Sequence, residues 1–183
     1  VVGRIRTSGL PRHTALSKDG RWLYVSTMRR SRLEIIDLTK GRVVASVPVA
    51  VGPRTIALST DERFVYVAAF AGHALSIVDV KLRKSVTLPL DIEKGSGLVV
   101  HPGDGMIYVT GWCTNDLWAV QRIRPGEKPG PLGTAARRGR ARRDPRTAHK
   151  LGCGSLAQMA ARKARRARQR AARRARRRAR RNK

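Results

Sequence analysis

The feature that most constrains this chain is a repeat of 42 residues without gaps. Tyr24, Tyr66 and Tyr108 lie 42 positions apart, and a valine follows each of them. The same offset relates further prolines, arginines, leucines and aspartates: Pro11 and Pro53, Arg12 and Arg54, Leu16 and Leu58, Asp19 and Asp61, Leu33, Leu75 and Leu117, and Asp37 and Asp79. A fixed period of this length indicates an array in which each copy is one unit of supersecondary structure.

Within the first copy, short apolar runs alternate with turn residues. The pattern predicts strands at residues 14–17, 22–26, 33–37 and 42–47, separated by turns such as Lys18-Asp19-Gly20. Four strands in one period match the size of a β-propeller blade. A two-sheet sandwich gives no reason for a fixed period, and parallel β-solenoids use shorter coils. We therefore expect an all-β fold, a partial β-propeller.

The repeat predicts two to three blades. We expect blades over residues 8–50, 51–92 and 93–120, the last with strands at 98–101, 106–110 and 117–120. Residues 1–7 resemble the fourth strand that precedes each copy. The pattern fails at Gln121, which replaces the aspartate of the earlier copies. Because closed propellers use four to eight blades, we expect exposed terminal blade faces that promote self-association.

The tyrosine segments carry a family resemblance. Tyr24-Val25-Ser26-Thr27, Tyr66-Val67-Ala68-Ala69 and Tyr108-Val109-Thr110-Gly111 resemble the YVTN-type β-propeller repeat over residues 1–120. The fourth signature position, usually Asn, holds Thr27, Ala69 and Gly111. The resemblance implies a ring of typically seven blades, in a family where some members bind haem or a quinone-type cofactor. The residues themselves give no further support for a cofactor, so we expect none.

A basic tail follows the repeats. Residues 121–183 carry 24 of the 40 Lys and Arg, only two acidic residues and no aromatic residue. This composition predicts a Pro/Gly-rich and then Arg/Ala-rich segment that is disordered or conditionally helical. The clustered arginines that we expect to contact a polyanion are Arg165, Arg166, Arg173, Arg174, Arg176, Arg177 and Arg178. Without aromatic side chains to stack on bases, such binding of nucleic acid should be electrostatic and nearly independent of base sequence.

The tail also suggests a hypothesis about its origin. Arg, Ala and Gly codons can consist of G and C alone, so a shift of reading frame near Gln121 would explain the end of the repeat. No apolar run approaches the roughly 18 residues that cross a bilayer, so we expect no membrane span. The chain begins at Val1 without a signal peptide, and the sequence leaves its compartment open. It would be periplasmic or secreted if an intact relative carries a signal peptide.

The candidate binding residues lie in loops. In a propeller, the loops from the fourth to the next first strand and from the second to the third strand emerge on one face. Arg12 and Arg54 occupy equivalent positions in the first class of loop, where two guanidinium groups could grip an anionic ligand. The alternative is that Pro-Arg is a repeat feature whose arginine bonds loop carbonyls. His73, Trp112 and Asn115, from the second class, complete the candidate set.

The residues predict no catalytic or metal site. Aspartates such as Asp19 and Asp37 stand in or beside turns, where carboxylates cap backbone N–H groups. The four histidines and two cysteines have no metal-binding spacing, and neither a phosphate loop nor a Gly-x-Ser-x-Gly elbow is present.

Three functions remain open at this stage. The leading interpretation is a non-catalytic propeller module that binds a protein or small ligand through its loop face. One alternative is part of a lactonase-like or dehydrogenase-like enzyme whose active residues lie in other blades. The other alternative is nucleic-acid binding through the tail.

Overall fold

The computed structural model describes residues 2–122, and the basic tail lies outside the described residues apart from its first two. Eleven β-strands in three antiparallel sheets make up the regular secondary structure of the described residues. The expectation of an all-β partial propeller is confirmed. Among residues 2–122, no helix is long and apolar enough to cross a membrane.

The first two sheets are complete four-stranded blades, each with its strands in chain order. Blade 1 consists of β1 (Pro11–Leu16), β2 (Trp22–Thr27), β3 (Arg32–Asp37) and β4 (Arg42–Pro48). Blade 2 consists of β5 (Pro53–Leu58), β6 (Phe64–Ala69), β7 (Ala74–Asp79) and β8 (Lys84–Pro89). Apart from β8, which is one residue shorter than β4, each strand of blade 2 begins and ends 42 residues after its counterpart.

The third sheet contains three strands among the described residues. Blade 3 consists of β9 (Gly95–Val100), β10 (Ile107–Gly111) and β11 (Asp116–Val120), with β10 between the other two. Residues 2–7 form no strand, so the expectation of a fourth-type strand there is wrong. The apolar spacing of that segment resembled a strand, but a fourth strand needs a third strand as its partner, as β4 pairs with β3 and β8 with β7. Among the described residues, β11 of blade 3 pairs with β10 and with no fourth strand.

The turns between first and second strands repeat a side-chain motif. Ser17 donates its hydroxyl hydrogen to Asp19, accepts the N–H of Trp22 at 2.9 Å, and Asp19 accepts the N–H of Arg21 at 3.0 Å. Ser59 and Asp61 make the same bonds one period later. In blade 3 the serine is replaced by His101 and the carboxylate is Asp104. Aspartate in these turns therefore satisfies backbone donors, as the sequence pattern indicates.

The blades pack face to face through the apolar side chains of their middle strands. Tyr24, Leu33 and Ile35 of blade 1 form one buried cluster with Ile56, Val65, Val67 and Val78 of blade 2. One period later, Tyr66 and Leu75 of blade 2 join Ile107 and Val109 of blade 3 in a second cluster. The first strands lie side by side, with β5 in contact with both β1 and β9. Because β1, β5 and β9 lie beside one another, the loops that precede them lie on one face.

Candidate functional site

Two classes of loop meet at the N-terminal ends of the innermost strands. The N–H of the first residue after each second strand donates to a carbonyl of the loop before the first strand: Met28 to Leu10 at 3.0 Å, Phe70 to Gly52 at 2.7 Å, and Trp112 to Lys94 at 3.2 Å. These three bonds lie 42 residues apart. The backbone therefore ties both loop classes to one surface, which we call the loop face.

The chain reverses sharply in these loops. Leu10, Gly52 and Lys94 all adopt the left-handed backbone region, with φ between 49° and 70°. Leu10 and Lys94 adopt this conformation with a side chain present. Position 52 also requires glycine for lack of space, because a Cβ there would lie 2.9 Å from the Cβ of Ala71. This close approach presses the loop before β5 onto the loop after β6. The loop before β5 ends at Gly52, so Arg54, which the sequence placed in that loop, is the second residue of β5, just as Arg12 is the second residue of β1. Phe70 begins the loop after β6.

Arg54 lies against two aromatic rings on the loop face. Its guanidinium carbon is 4.7 Å from the centroid of the Phe70 ring and 5.5 Å from that of the Trp112 ring. The ammonium of Lys94 is 5.6 Å from the same Phe70 ring. Two cations and two aromatic faces from blades 2 and 3 therefore share one patch, which we call the Arg54 cluster. Contacts of this geometry stabilise a cation by roughly 0.5–1 kcal/mol at exposed sites.

The backbone beneath the cluster is fixed by bonds between blades. The Ser26 hydroxyl of blade 1 donates to the Arg54 carbonyl at 2.8 Å. The Thr55 hydroxyl donates to the Ser96 carbonyl of blade 3. Arg54 is therefore held between both neighbouring blades, while its side chain is only partly buried and Trp112 is 40% exposed. The cluster is a fixed but open surface.

Blade 1 has the arginine but not the aromatic partner. Arg12, equivalent to Arg54, is exposed, and Met28 stands where blade 2 has Phe70. Among the described residues the arginine–ring contacts include Arg54 and not Arg12. The structure therefore places the two predicted arginines in different environments, and only Arg54 belongs to the cluster.

His73 and Asn115 occupy the same turn position in successive blades. Both have left-handed backbones, with φ of 49° and 52°, as does Ser31 of blade 1. The His73 ring nitrogen Nδ1 lies 3.0 Å from the Ile92 carbonyl, and the His73 carbonyl accepts the N–H of Leu90. A bond to a carbonyl requires the proton on Nδ1. His73 thus ties the loop of blade 2 to the segment that enters blade 3.

Sequence reasoning omitted two members of the cluster from its candidate residues. Phe70 and Lys94 lie in loops that the repeat had placed on the loop face, but neither matches its counterparts in the other copies. The sequence signal for these two residues was their spacing: Phe70 lies 42 residues after Met28, and Lys94 lies 42 residues after Gly52. The predicted polyanion contacts, Arg165, Arg166, Arg173, Arg174, Arg176, Arg177 and Arg178, lie outside the described residues.

The ionisable groups at the opposite ends of the strands form structural pairs. Hydrogen bonding by the Thr39 hydroxyl, with Arg21 assisting, lowers the pKa of Asp37. The backbone N–H of Leu82, with Arg63 assisting, lowers the pKa of Asp79. The Arg21–Asp37 and Arg63–Asp79 ion pairs measure 3.3 and 3.2 Å. These carboxylates are held ionised by turn contacts, and within residues 2–122 no group of three or more metal-ligating side chains converges.

Comparison with known proteins places this geometry among propellers. Residues 8–89 match the family described as the cytochrome D1 heme domain. None of the curated proteins matches the chain. The matched segment comprises blades 1 and 2 with the loops that lead into them, and so includes Arg54 and Phe70 but neither Lys94 nor Trp112.

Solved structures resemble the chain in fold. Hydrazine synthase of Kuenenia stuttgartiensis is 24% identical, with a TM-score of 0.58 over 66% of this chain and 35% of that chain. Dihydro-heme d1 dehydrogenase NirN in complex with DHE is 22% identical, with a TM-score of 0.58 over 70% and 28%. Virginiamycin B lyase of Staphylococcus aureus is 17% identical, with a TM-score of 0.55 over 67% and 41%. The chain spans less than half the length of each, and the described residues define a partial β-propeller.

Proposed function

We propose that this chain is a non-catalytic propeller module whose loop face binds a planar aromatic anion at the Arg54 cluster. The observation that carries the proposal is the placement of Arg54 against both Phe70 and Trp112, with Lys94 beside Phe70. We also propose that the repeat is of the YVTN type.

The chemistry of the cluster selects the class of ligand. Two cations attract carboxylates, and a guanidinium can bind a carboxylate through two parallel hydrogen bonds. Phe70 and Trp112 hold the Arg54 guanidinium, a plane on which a flat ring can stack, and the exposed part of Trp112 offers apolar surface beside it. A ligand that satisfies both groups is a planar aromatic molecule with carboxylates at its edge.

The comparisons support a carboxylated tetrapyrrole as the test ligand. The matched family is a heme domain, and one protein of similar fold is a dihydro-heme d1 dehydrogenase. The two cations suit the carboxylates of such a ring, and the Arg54 guanidinium with the exposed part of Trp112 suits one of its faces. Because Trp112 is 40% exposed, the cluster covers one side of the ring and does not enclose it. Binding by the cluster therefore rests on stacking and charge, without a catalytic step.

The direct test is a titration of the full chain with protoporphyrin IX, which has the carboxylates and the planar ring but no metal. Quenching of tryptophan fluorescence reports binding near any of Trp22, Trp112 and Trp118, so the variants below locate the site, and excess heparin occupies the basic tail. Phe70→Met installs the residue that blade 1 has at this position. We expect it to weaken binding about tenfold, corresponding to about 1.4 kcal/mol.

Phe64→Met is the matched control. Phe64 is the first residue of β6, and Phe70 directly follows the last residue of that strand. The Phe64 ring also lies under cations, Arg63 at 5.1 Å and Arg122 at 4.5 Å. It lies at the opposite end of the strand from Phe70, so we expect protoporphyrin binding to be unchanged. Equal losses in the two variants, or no binding by the unmodified chain, would refute the proposed site.

A further inference from the structure

A cavity lies between blades 1 and 2, at the ends of the strands opposite the loop face. Its volume is about 270 Å³. The side chains that line it are Trp22, Tyr24, Ile35 and Val44 of blade 1 and, from the turn between β7 and β8 of blade 2, Val80, Lys81 and Arg83. An apolar protein cavity of about 150 Å³ binds benzene, so this one has room for an apolar group of roughly ten carbons or fewer.

The corresponding space between blades 2 and 3 holds an arginine. Val80 is replaced there by Arg122, and Phe64 takes the place of Trp22. The Arg122 guanidinium lies 4.5 Å from the centroid of the Phe64 ring and 3.6 Å from the carboxylate of Asp61. The cavity beside Trp22 therefore exists because position 80 carries a small apolar side chain and not an arginine.

Two cations line the cavity at positions where blade 1 has neither. Arg83 has a left-handed backbone, with φ of 55°, whereas its counterpart Gly41 adopts φ of 61° without a side chain. Lys81 stands at the position of Thr39, whose hydroxyl bonds the turn carboxylate of Asp37. Among residues 2–122, the ion pairs include neither Lys81 nor Arg83. Two unpaired cations thus line an apolar cavity, one of them at a backbone position that favours glycine.

Two carboxylates act on Tyr24 from outside the cavity. Burial raises the pKa of Tyr24, and the negative charges of Glu62 and Asp19 raise this pKa further. Glu62 accepts the N–H of Lys18 at 2.7 Å, and Asp19 accepts that of Arg21 at 3.0 Å. Neither carboxylate lines the cavity. The charged groups that do line it are both cations, so they favour a negatively charged ligand.

We propose that this cavity binds a small apolar monocarboxylate, of which a medium-chain fatty acid is the simplest form. The hydrocarbon chain lies beside Trp22 and Val80, and the carboxylate meets Lys81 and Arg83. A guanidinium binds a carboxylate through two parallel hydrogen bonds, and removal of the chain from water supplies the rest of the affinity. The site is separate from the Arg54 cluster, which lies at the other ends of the strands, so each proposal can fail without the other.

The test is a calorimetric titration of the full chain with butanoate, hexanoate and octanoate, in excess heparin to occupy the tail. We expect one octanoate to bind per chain. Each added methylene should strengthen binding about fourfold, which corresponds to about 0.8 kcal/mol. Surface cations alone would bind the three carboxylates equally, so an affinity that does not depend on chain length would overturn the proposal.

Val80→Arg installs the residue that the next interface carries, so the variant should fold with the new side chain in the cavity. We expect its octanoate binding to fall about tenfold or more. Leu82→Arg is the matched control, because Leu82 lies in the same turn, is 61% exposed and does not line the cavity. It adds the same charge and should leave octanoate binding unchanged. Equal losses in the two variants would refute the site.

Arg83→Gly separates binding from folding. It installs the glycine of blade 1 at a left-handed backbone position, so the thermal midpoint should not fall. Loss of the guanidinium should weaken octanoate binding about fivefold. An octanoate affinity that is the same in Arg83→Gly and in the unmodified chain would contradict the role of this arginine and overturn the proposed site.

Discussion

At the scale of single residues, equivalent positions of the repeat do different things. Ser17 and Ser59 make the same bonds in both complete blades, and Asp37 and Asp79 accept equivalent backbone N–H groups and serve the turns. Positions 28, 70 and 112 instead hold Met, Phe and Trp. A shared position with shared bonds indicates a structural role, whereas the change to aromatic residues around Arg54 creates the candidate site.

The turn carboxylates predict acid-sensitive stability. Hydrogen bonds hold the pKa of Asp37 and of Asp79 below the ordinary value of 3.8 in the folded chain. Because the folded pKa is lower than the unfolded one, each carboxylate stabilises the fold fully above about pH 4. That contribution is lost as the pH falls below 3.8 toward the folded pKa.

We therefore expect the thermal midpoint to fall with decreasing pH below about 4, and to fall less steeply in Asp37→Asn than in the unmodified chain. The variant should already be less stable at neutral pH, because it loses the ionised partner of Arg21. Melts followed by circular dichroism across this range measure both effects. Identical slopes for the two proteins would contradict the assignment of Asp37.

At the scale of elements, the 42-residue period predicted nearly all of the strands. It located the middle strands of blades 1 and 3 to within a residue, because their alternating turns and apolar runs are local signals. The first strands of these blades begin earlier than expected, at Pro11 and Gly95, since pairing with β2 and β10 continues to the ends of those strands. Residues 2–7 carry a strand-like pattern without a partner, a tertiary condition that periodicity alone does not show.

The candidate site was only partly predictable for the same reason. Arg54 and Trp112 were identified from their loops, but the sequence treated Arg12 as equivalent to Arg54. Arg54 meets a ring because its own blade places Phe70 beside it and the next blade adds Trp112, whereas blade 1 has Met28 at the position of Phe70. The contact with Trp112 is set by packing between blades and has no signature in the spacing of a single copy.

Packing between blades also predicts which leucines hold them together. Leu75 on β7 is 0% exposed within the cluster shared by blades 2 and 3, so Leu75→Ala should cost about 2–5 kcal/mol of unfolding free energy. Leu82→Ala, in a turn and 61% exposed, should change it by about 0.5 kcal/mol or less. Urea denaturation at constant protein concentration measures both. Similar costs at the two positions would show that blade packing does not support the fold as described.

At the scale of the whole molecule, charge is unevenly distributed along the chain. The formal net charge is +28, and most of it belongs to residues 121–183, which carry no aromatic residue. Such a composition attracts nucleic acid through its phosphates, and each neutralised phosphate releases counterions. The tail therefore predicts a polyanion affinity that is separate from the loop face.

We expect the full chain to bind random duplex DNA with an affinity that falls on the order of a thousandfold or more between 50 and 200 mM salt, if about six to ten phosphates are contacted. A chain that ends at Val120 should lose most of this binding. Fluorescence anisotropy at both salt concentrations provides the comparison. Equal affinities for the two chains, or an affinity of the full chain that ignores salt, would remove the tail from any account of binding.

The central claim is that the loop face binds through Arg54, which lies against Phe70 and Trp112, and not through its counterpart Arg12. Arg54→Gln and Arg12→Gln remove the same charge from equivalent positions, and the tail is identical in both, so the ratio of their protoporphyrin IX dissociation constants isolates the environment of Arg54. We predict that Arg54→Gln weakens binding about tenfold or more and that Arg12→Gln leaves it nearly unchanged. Equal effects of the two substitutions, or a larger effect at Arg12, would contradict the account.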